Sequence, residues 1–184
     1  IPLAGGEATG TIGLDAPPLS VAVDPEYRLF RRLAPGEAPP ILRDVTLDPA
    51  TRLVLAGPHQ DLGRALASRL MDAGAAAGEP RAGAPVAVIG ITADVYETLP
   101  RLGLEPVPDR LAGKGTSRVW TGRTAGGAPA LVVAADDRAA LESLLRPLPH
   151  YGRQSYLVFQ GREAVERGIW PPGDNPLKRS VAVE

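Results

Sequence analysis

Two histidines, His59 and His150, are the only imidazoles in a chain that contains no cysteine. A zinc site or an activated nucleophile would have to be built around one of them or around oxygen ligands. They are far apart, and neither belongs to an H-E-x-x-H or other i,i+4 pair of the kind that sets two ligands on one helix face. Each is therefore read as a loop residue or a local hydrogen-bonder, and thiolate chemistry is excluded outright. No catalytic residue and no metal ligand is expected in the chain.

Phosphate and nucleophile motifs fail in the same way. Ala112-Gly113-Lys114-Gly115-Thr116-Ser117 resembles half of a P-loop, but Pro108 stands where the first glycine is needed and Gly115 where a hydroxyl residue would follow the lysine. The segment also leads into a strand, whereas an anion cradle opens a helix. Gly115-Thr116-Ser117-Arg118-Val119 lacks the strand-to-helix context of a nucleophile elbow. Asp136-Asp137 sits where a helix cap is expected, and Glu163 and Glu166 form the other carboxylate pair. Tyr151, Tyr156, Phe159 and Trp170, with Arg153 and Arg162 nearby, outline a base-stacking platform. Yet 20 basic against 21 acidic residues leave a net charge of -1, which removes the electrostatic case for nucleic acid.

One ligand reading survives as the alternative. Open α/β sheets bind small molecules beyond the carboxyl ends of their strands, and His59, Gln60 and Thr92 mark those ends here. The turn after the first strand, Gly57-Pro58-His59-Gln60-Asp61-Leu62-Gly63, has too few glycines at the wrong spacing for a dinucleotide fingerprint.

The elements that would position these residues begin with short β-like runs at 8–13 and 19–23. Two strands are marginal alone, so they are expected to pair with strands of a β-sandwich lying upstream. Residues 24–40 read as a Pro-rich connector with apolar anchors at Tyr27, Leu29, Phe30 and Leu33, and 41–45 as a helical turn. From residue 51 strand and helix alternate: a strand over 52–56, a helix over 61–74, a strand apolar on both faces over 85–91, and a short helix capped by Thr92. A hairpin of 118–123 and 128–135 follows, then a helix capped by Asp136 or Asp137 and a strand over 155–159. The tail from 168 reads as irregular, with Trp170 packed against that last strand. This order predicts a three-layer α/β domain with a mixed, mostly parallel sheet over 51–184, a connector over 24–50, and a strand fragment of a sandwich over 1–23.

A length of 184 residues with 44% hydrophobic content suits such a domain. The longest apolar runs fall far short of the roughly 20 residues that span a bilayer, so no transmembrane segment is expected. The chain opens on Ile1 without a signal-like region, so any targeting signal is expected to have been removed or to lie in an upstream part.

Two stretches resemble a known family. Residues 23–33 with Ala38-Pro39-Pro40-Ile41-Leu42 are similar to the junction after the β-sandwich in bacterial membrane-alanyl-aminopeptidase-like proteins. Residues 148–159, with Gly168-Ile169-Trp170-Pro171 and Asn175-Pro176-Leu177, resemble the end of an extra domain those proteins carry. Members of that zinc metallopeptidase family hold zinc through an H-E-x-x-H helix and a distant glutamate in a domain before the sandwich. None of those residues is present, so no catalytic position carries over, and any zinc belongs to the parent protein. The resemblance implies a non-catalytic C-terminal accessory or interaction domain. Its partners would be the upstream domains of the same protein or another protein, and its parent would be periplasmic, exported or membrane-associated.

Overall fold

The computed structural model describes residues 9–26, 28–34, 36–71, 76–77, 83–173 and 175–181. Its elements are β1 (Ser20–Ala22), α1 (Leu42–Thr46), β2 (Arg52–Ala56), α2 (Gln60–Leu70), β3 (Ala76–Ala77), β4 (Val86–Ile91), α3 (Thr92–Thr98), β5 (Ser117–Arg123), β6 (Pro129–Ala135), α4 (Arg138–Ser143), β7 (Tyr156–Gln160), β8 (Glu163–Gly168) and β9 (Lys178–Ser180). Short 3-10 turns cover Pro100–Leu102 and Leu148–Tyr151.

Seven strands form one sheet in the order β3-β2-β4-β6-β5-β7-β8. The sheet is mixed, as expected, but it is not mostly parallel. The β3–β2, β2–β4 and β4–β6 pairs run parallel, while β6–β5, β5–β7 and β7–β8 run antiparallel. The reason is connection length. Parallel neighbours need a crossover, whereas β5–β6 and β7–β8 are closed by tight turns in which Gly127 (φ 81°) and Gly161 (φ 58°) take the left-handed conformation.

Both faces of the sheet centre are apolar, and period-two alternation sorts its side chains into two clusters. On one face Leu53, Ala87, Ile89, Val119, Leu131, Val133, Leu157 and Phe159 pack under Leu42 and Val45 of α1, Leu62 and Leu66 of α2, and Leu141, Leu144 and Leu148. On the other, Val86, Val88, Trp120, Val132, Tyr156 and Val158 pack under Val95 and Leu99 of α3 and Leu104 and Leu111 of the loop that follows. Each fully buried Leu, Val or Phe contributes about 1.5–3 kcal/mol relative to exposure. The β2–β4 approach is so close that a Cβ at Gly90 would collide with the Ala56 carbonyl.

The connector is more deeply embedded than its composition suggests. Leu42 and Val45 are fully buried, and the Pro40 carbonyl accepts from the buried hydroxyls of Thr121 at 2.6 Å and Ser155 at 2.7 Å. The Leu42 and Arg43 amides donate to the carbonyls of Gln154 and Gly152 at 2.9 and 3.0 Å. Of the expected anchors, Leu33 is half-buried, Leu29 and Phe30 are exposed, and Tyr27 lies outside the described residues. Their exposure has a structural reason: polar contacts, described below, hold this segment in place of apolar ones.

The first strand finds its partner at the far end of the chain. β1 pairs antiparallel with β9, Val21 opposite Arg179, and the tail thereby acquires the regular structure its sequence hides. No strand forms over residues 9–13, and residue 8 lies outside the described residues. Trp170 packs where expected: its ring lies 4.4 Å from that of Tyr156, and its Nε1 donates to the Thr121 carbonyl at 2.9 Å.

Deletion of residues 1–23 is expected to leave one cooperative unfolding transition for the large sheet, whereas deletion through residue 46 removes Leu42 and Val45 from the buried face of β4 and β6 and abolishes it. Thermal denaturation followed by circular dichroism distinguishes the two; equal stability of both truncations would show that α1 is dispensable.

Candidate functional site

The densest polar constellation lies where the carboxyl ends of β4 and β6 meet the start of β5. Arg118 is buried there, its side chain 5% exposed. One of its terminal nitrogens, Nη2, donates to Thr92 Oγ1 at 2.7 Å and to the Asp136 carboxylate; Nη1 donates to the carbonyls of Lys114 at 3.1 Å and Gly115 at 3.3 Å. Thr92 Oγ1 in turn donates to Asp136 Oδ1 at 3.2 Å. Among the described residues Arg118 Nε is buried without a partner. With both terminal nitrogens committed, the guanidinium works as a clamp between three strand ends and keeps no free fork for an anionic ligand.

This clamp reassigns two residues. Thr92 does not cap α3: Ile91 occupies the cap position without a side-chain bond, and the Thr92 hydroxyl is spent on Arg118 and Asp136. Of the acidic pair, Asp137 caps α4 by accepting from the Ala140 amide at 2.8 Å, which frees Asp136 for the clamp. His59 is the N-cap residue of α2, contributing its carbonyl to the Gly63 amide at 3.2 Å with no side-chain cap bond. Gln60 is exposed and accepts from Arg64 at 3.3 Å. It lines a groove of about 630 Å³ along β2; His59 and Thr92 do not.

Two further charged groups hold irregular segments. Glu166 on β8 accepts from Arg110 Nε at 2.8 Å and from Lys114 Nζ at 2.9 Å. Lys114 and then Arg110 hold its carboxyl below the usual range, and Arg110 also lies 4.8 Å above the Tyr156 ring. Lys114, the lysine of the half P-loop, is thus engaged in a surface clasp. In the connector, Arg31 makes a bidentate pair with Glu37 at 2.9 and 2.8 Å and reaches Asp24 at 3.1 Å. Arg31 lowers the Glu37 carboxyl against the opposing effect of burial, and the Ala34 amide adds to the lowering. For Asp24 burial again works upward, but the amides of Leu29 and Arg28, with Arg31, outweigh it.

The four aromatics divide between the two faces of the sheet. Tyr151 meets Phe159 edge-on at 5.8 Å on one, and Tyr156 meets Trp170 on the other, so they offer no common stacking surface. Among the described residues, no group of three or more His, Cys, Asp or Glu side chains is arranged to hold a metal ion. No helix among them is long and apolar enough to cross a membrane. No family model matches the chain, and no similar curated protein or solved structure was found.

The Arg118 clamp was legible only as a suspect acid pair and a helix cap, because the arginine that joins them lies on a different strand. Thr92→Val is expected to cost about 1 kcal/mol and Asp136→Ala about 2 kcal/mol in denaturant unfolding, since each leaves a buried guanidinium donor unpaired. No change in either midpoint would remove the clamp from the fold's stability. The connector staple has an acid limit. Carboxyls lowered in the folded state stabilise it fully above their unfolded values near pH 4, and that contribution is lost as pH falls through the lowered native values. Proteolytic cleavage within 24–37 should therefore appear only in acid for the unaltered chain and already at neutral pH for Glu37→Gln; identical pH profiles would contradict this.

Proposed function

We propose that the chain is a three-layer α/β accessory domain of a larger exported or membrane-associated protein resembling a zinc aminopeptidase, and that it serves docking rather than chemistry. The observation that carries this reading is where the exposed apolar side chains lie. Of the twelve large hydrophobic side chains exposed among the described residues, seven (Leu19, Val21, Val23, Leu29, Phe30, Leu177 and Val181) belong to the β1–β9 ribbon, its flanking residues and the connector that follows it, while Ile12, Leu14, Leu47, Val165 and Ile169 lie elsewhere. Scattered surface leucines need no explanation, but this grouping marks an interaction surface.

The ribbon also favours a particular kind of occupant. Two strands make a marginal sheet, and every residue of β1 and β9 is exposed. A sheet of a neighbouring domain would complete it by adding strands to the β1 edge and covering Leu19, Val21 and Val23. A β-sandwich encoded upstream in the same protein fits that requirement. Phe30 would then enter a pocket of that neighbour, presented by a loop whose base is fixed by the Arg31–Glu37 pair. In this arrangement catalysis and zinc reside in the neighbouring domains.

The reading frame upstream of Ile1 is expected to encode a zinc-binding helix and a sandwich, and the isolated chain to show no aminopeptidase activity with or without added zinc. Phe30→Ala should leave thermal stability within about 0.5 kcal/mol while weakening association with the separately expressed upstream domains by about tenfold or more, measured by sedimentation. An upstream frame without those domains, or full association by Phe30→Ala, would overturn the proposal.

A further inference from the structure

The β1–β9 ribbon has two unlike faces. Side chains alternate along each strand, and residues directly opposite each other in an antiparallel pair share a face. The register sets Ser20 against Ser180, Val21 against Arg179 and Ala22 against Lys178. Pairing runs one residue further at each end, where the Val181 amide donates to the Leu19 carbonyl at 3.0 Å and the Val23 amide to the Leu177 carbonyl at 3.2 Å. One face therefore holds Leu19, Val21 and Val23 beside Val181, Arg179 and Leu177. The other holds Ser20, Ala22, Lys178 and Ser180.

The five apolar side chains of the first face are 39 to 79% exposed, so that face stands largely in water. Arg179, opposite Val21, is the cation at its centre. Its Nη1 donates to the carbonyls of Pro176 at 2.8 Å and Lys178 at 3.1 Å, which ties one side of the guanidinium to the backbone of its own strand. Nε and Nη2, on the other side, have no partner among the described residues. They form a planar pair of donors matched to the two oxygens of a carboxylate. By contrast, Arg31, Arg110 and Arg118 all meet carboxylates of the chain itself.

The position of Arg179 selects among possible occupants of the face. Any surface that covers the five apolar side chains also covers this guanidinium, and a cation taken out of water without an acid beside it is strongly unfavourable. A second copy stacked face to face about a two-fold axis through the centre would set Arg179 against Arg179. A bilayer would have to take up a cation tied to the middle of the inserted face.

We propose that this face docks onto an apolar protein surface carrying one carboxylate, which accepts from Nε and Nη2 of Arg179, while the face of Ser20, Lys178 and Ser180 stays in water. The inference rests on the docking reading above and deepens it, because the neighbouring domain must then present an aspartate or glutamate ringed by apolar side chains.

The test measures association of the whole chain with the separately expressed upstream domains by sedimentation. Arg179→Gln is expected to weaken it about tenfold or more, and Lys178→Gln, which removes the same charge from the opposite face, to leave it within about twofold. Both side chains are exposed, and amide chemical shifts verify that the ribbon stays paired in each variant. Equal weakening by the two variants, or no weakening by Arg179→Gln where Phe30→Ala does weaken, overturns this inference and leaves the docking reading in place. No association of the unaltered chain overturns both. Self-association of the chain, or its binding to phosphatidylglycerol vesicles, that is lost in Val21→Asp assigns the face to a second copy or to a bilayer and likewise overturns the inference.

Discussion

Burial on both faces of β4, β6 and β5 is the constraint from which the rest of the structure follows. Ala87, Ile89, Leu131 and Val133 look one way and Val86, Val88, Val132 and Trp120 the other, and almost none of their surface is left to water. A sheet of that composition cannot leave either face open, since each uncovered Leu or Val forfeits about 1.5–3 kcal/mol. α2 and α4 cover part of one face. The remainder is closed by α1, which enters from the connector with Leu42 and Val45. On the opposite face α3 is short, and the long loop before β5 completes the cover with Leu104 and Leu111.

Covering a sheet with irregular chain brings backbone polar groups into the core, and their satisfaction explains most of the buried polar residues. Thr121 of β5 and Ser155, just before β7, are buried and meet the same Pro40 carbonyl. Neither hydroxyl needs a catalytic explanation, because a connector crossing the sheet with an unpaired carbonyl would lose about 1–3 kcal/mol. Arg118 performs a similar task at the strand ends, where the Lys114 and Gly115 carbonyls would otherwise lack partners as the chain turns into β5. Thr92 and Asp136, just after the carboxyl ends of β4 and β6, and Arg118 at the start of β5 are all engaged in that requirement.

How much was readable in the sequence follows the same division. β2, β4 and the β5–β6 hairpin are apolar runs between Gly and Pro signals, and their sequence-derived limits lie within a residue or two of the observed ones. β8 was missed because Glu163, Glu166 and Arg167 give an edge strand the composition of a loop. β9 was missed because a strand of Lys178–Ser180 has no hydrophobic signature and exists through its pairing with β1, far away in sequence. The site fared similarly. His59, Gln60 and Thr92 lie at or just after the carboxyl ends of β2 and β4, but sequence gives no register between β4, β5 and β6, and only register reveals that Thr92, Arg118 and Asp136 share one hydrogen-bonded group.

The connector inverts the usual relation between burial and side-chain type. Glu37 is 1% exposed while Phe30, in the same loop, is completely exposed. A buried ion pair contributes little net stability, because desolvation offsets most of its Coulombic gain. What it does fix is conformation. The bidentate geometry of Arg31 on Glu37 admits one orientation, and Asp24, at a positive φ of 50°, accepts from the Arg28 and Leu29 amides at 2.6 and 3.1 Å and so sets the backbone that carries Phe30. If the loop's purpose were its own stability, the phenyl ring would be folded beneath it and the carboxylate left in water. The observed arrangement accepts a desolvation cost while holding an apolar ring outward, which is what the proposed docking of Phe30 into a neighbouring surface would require.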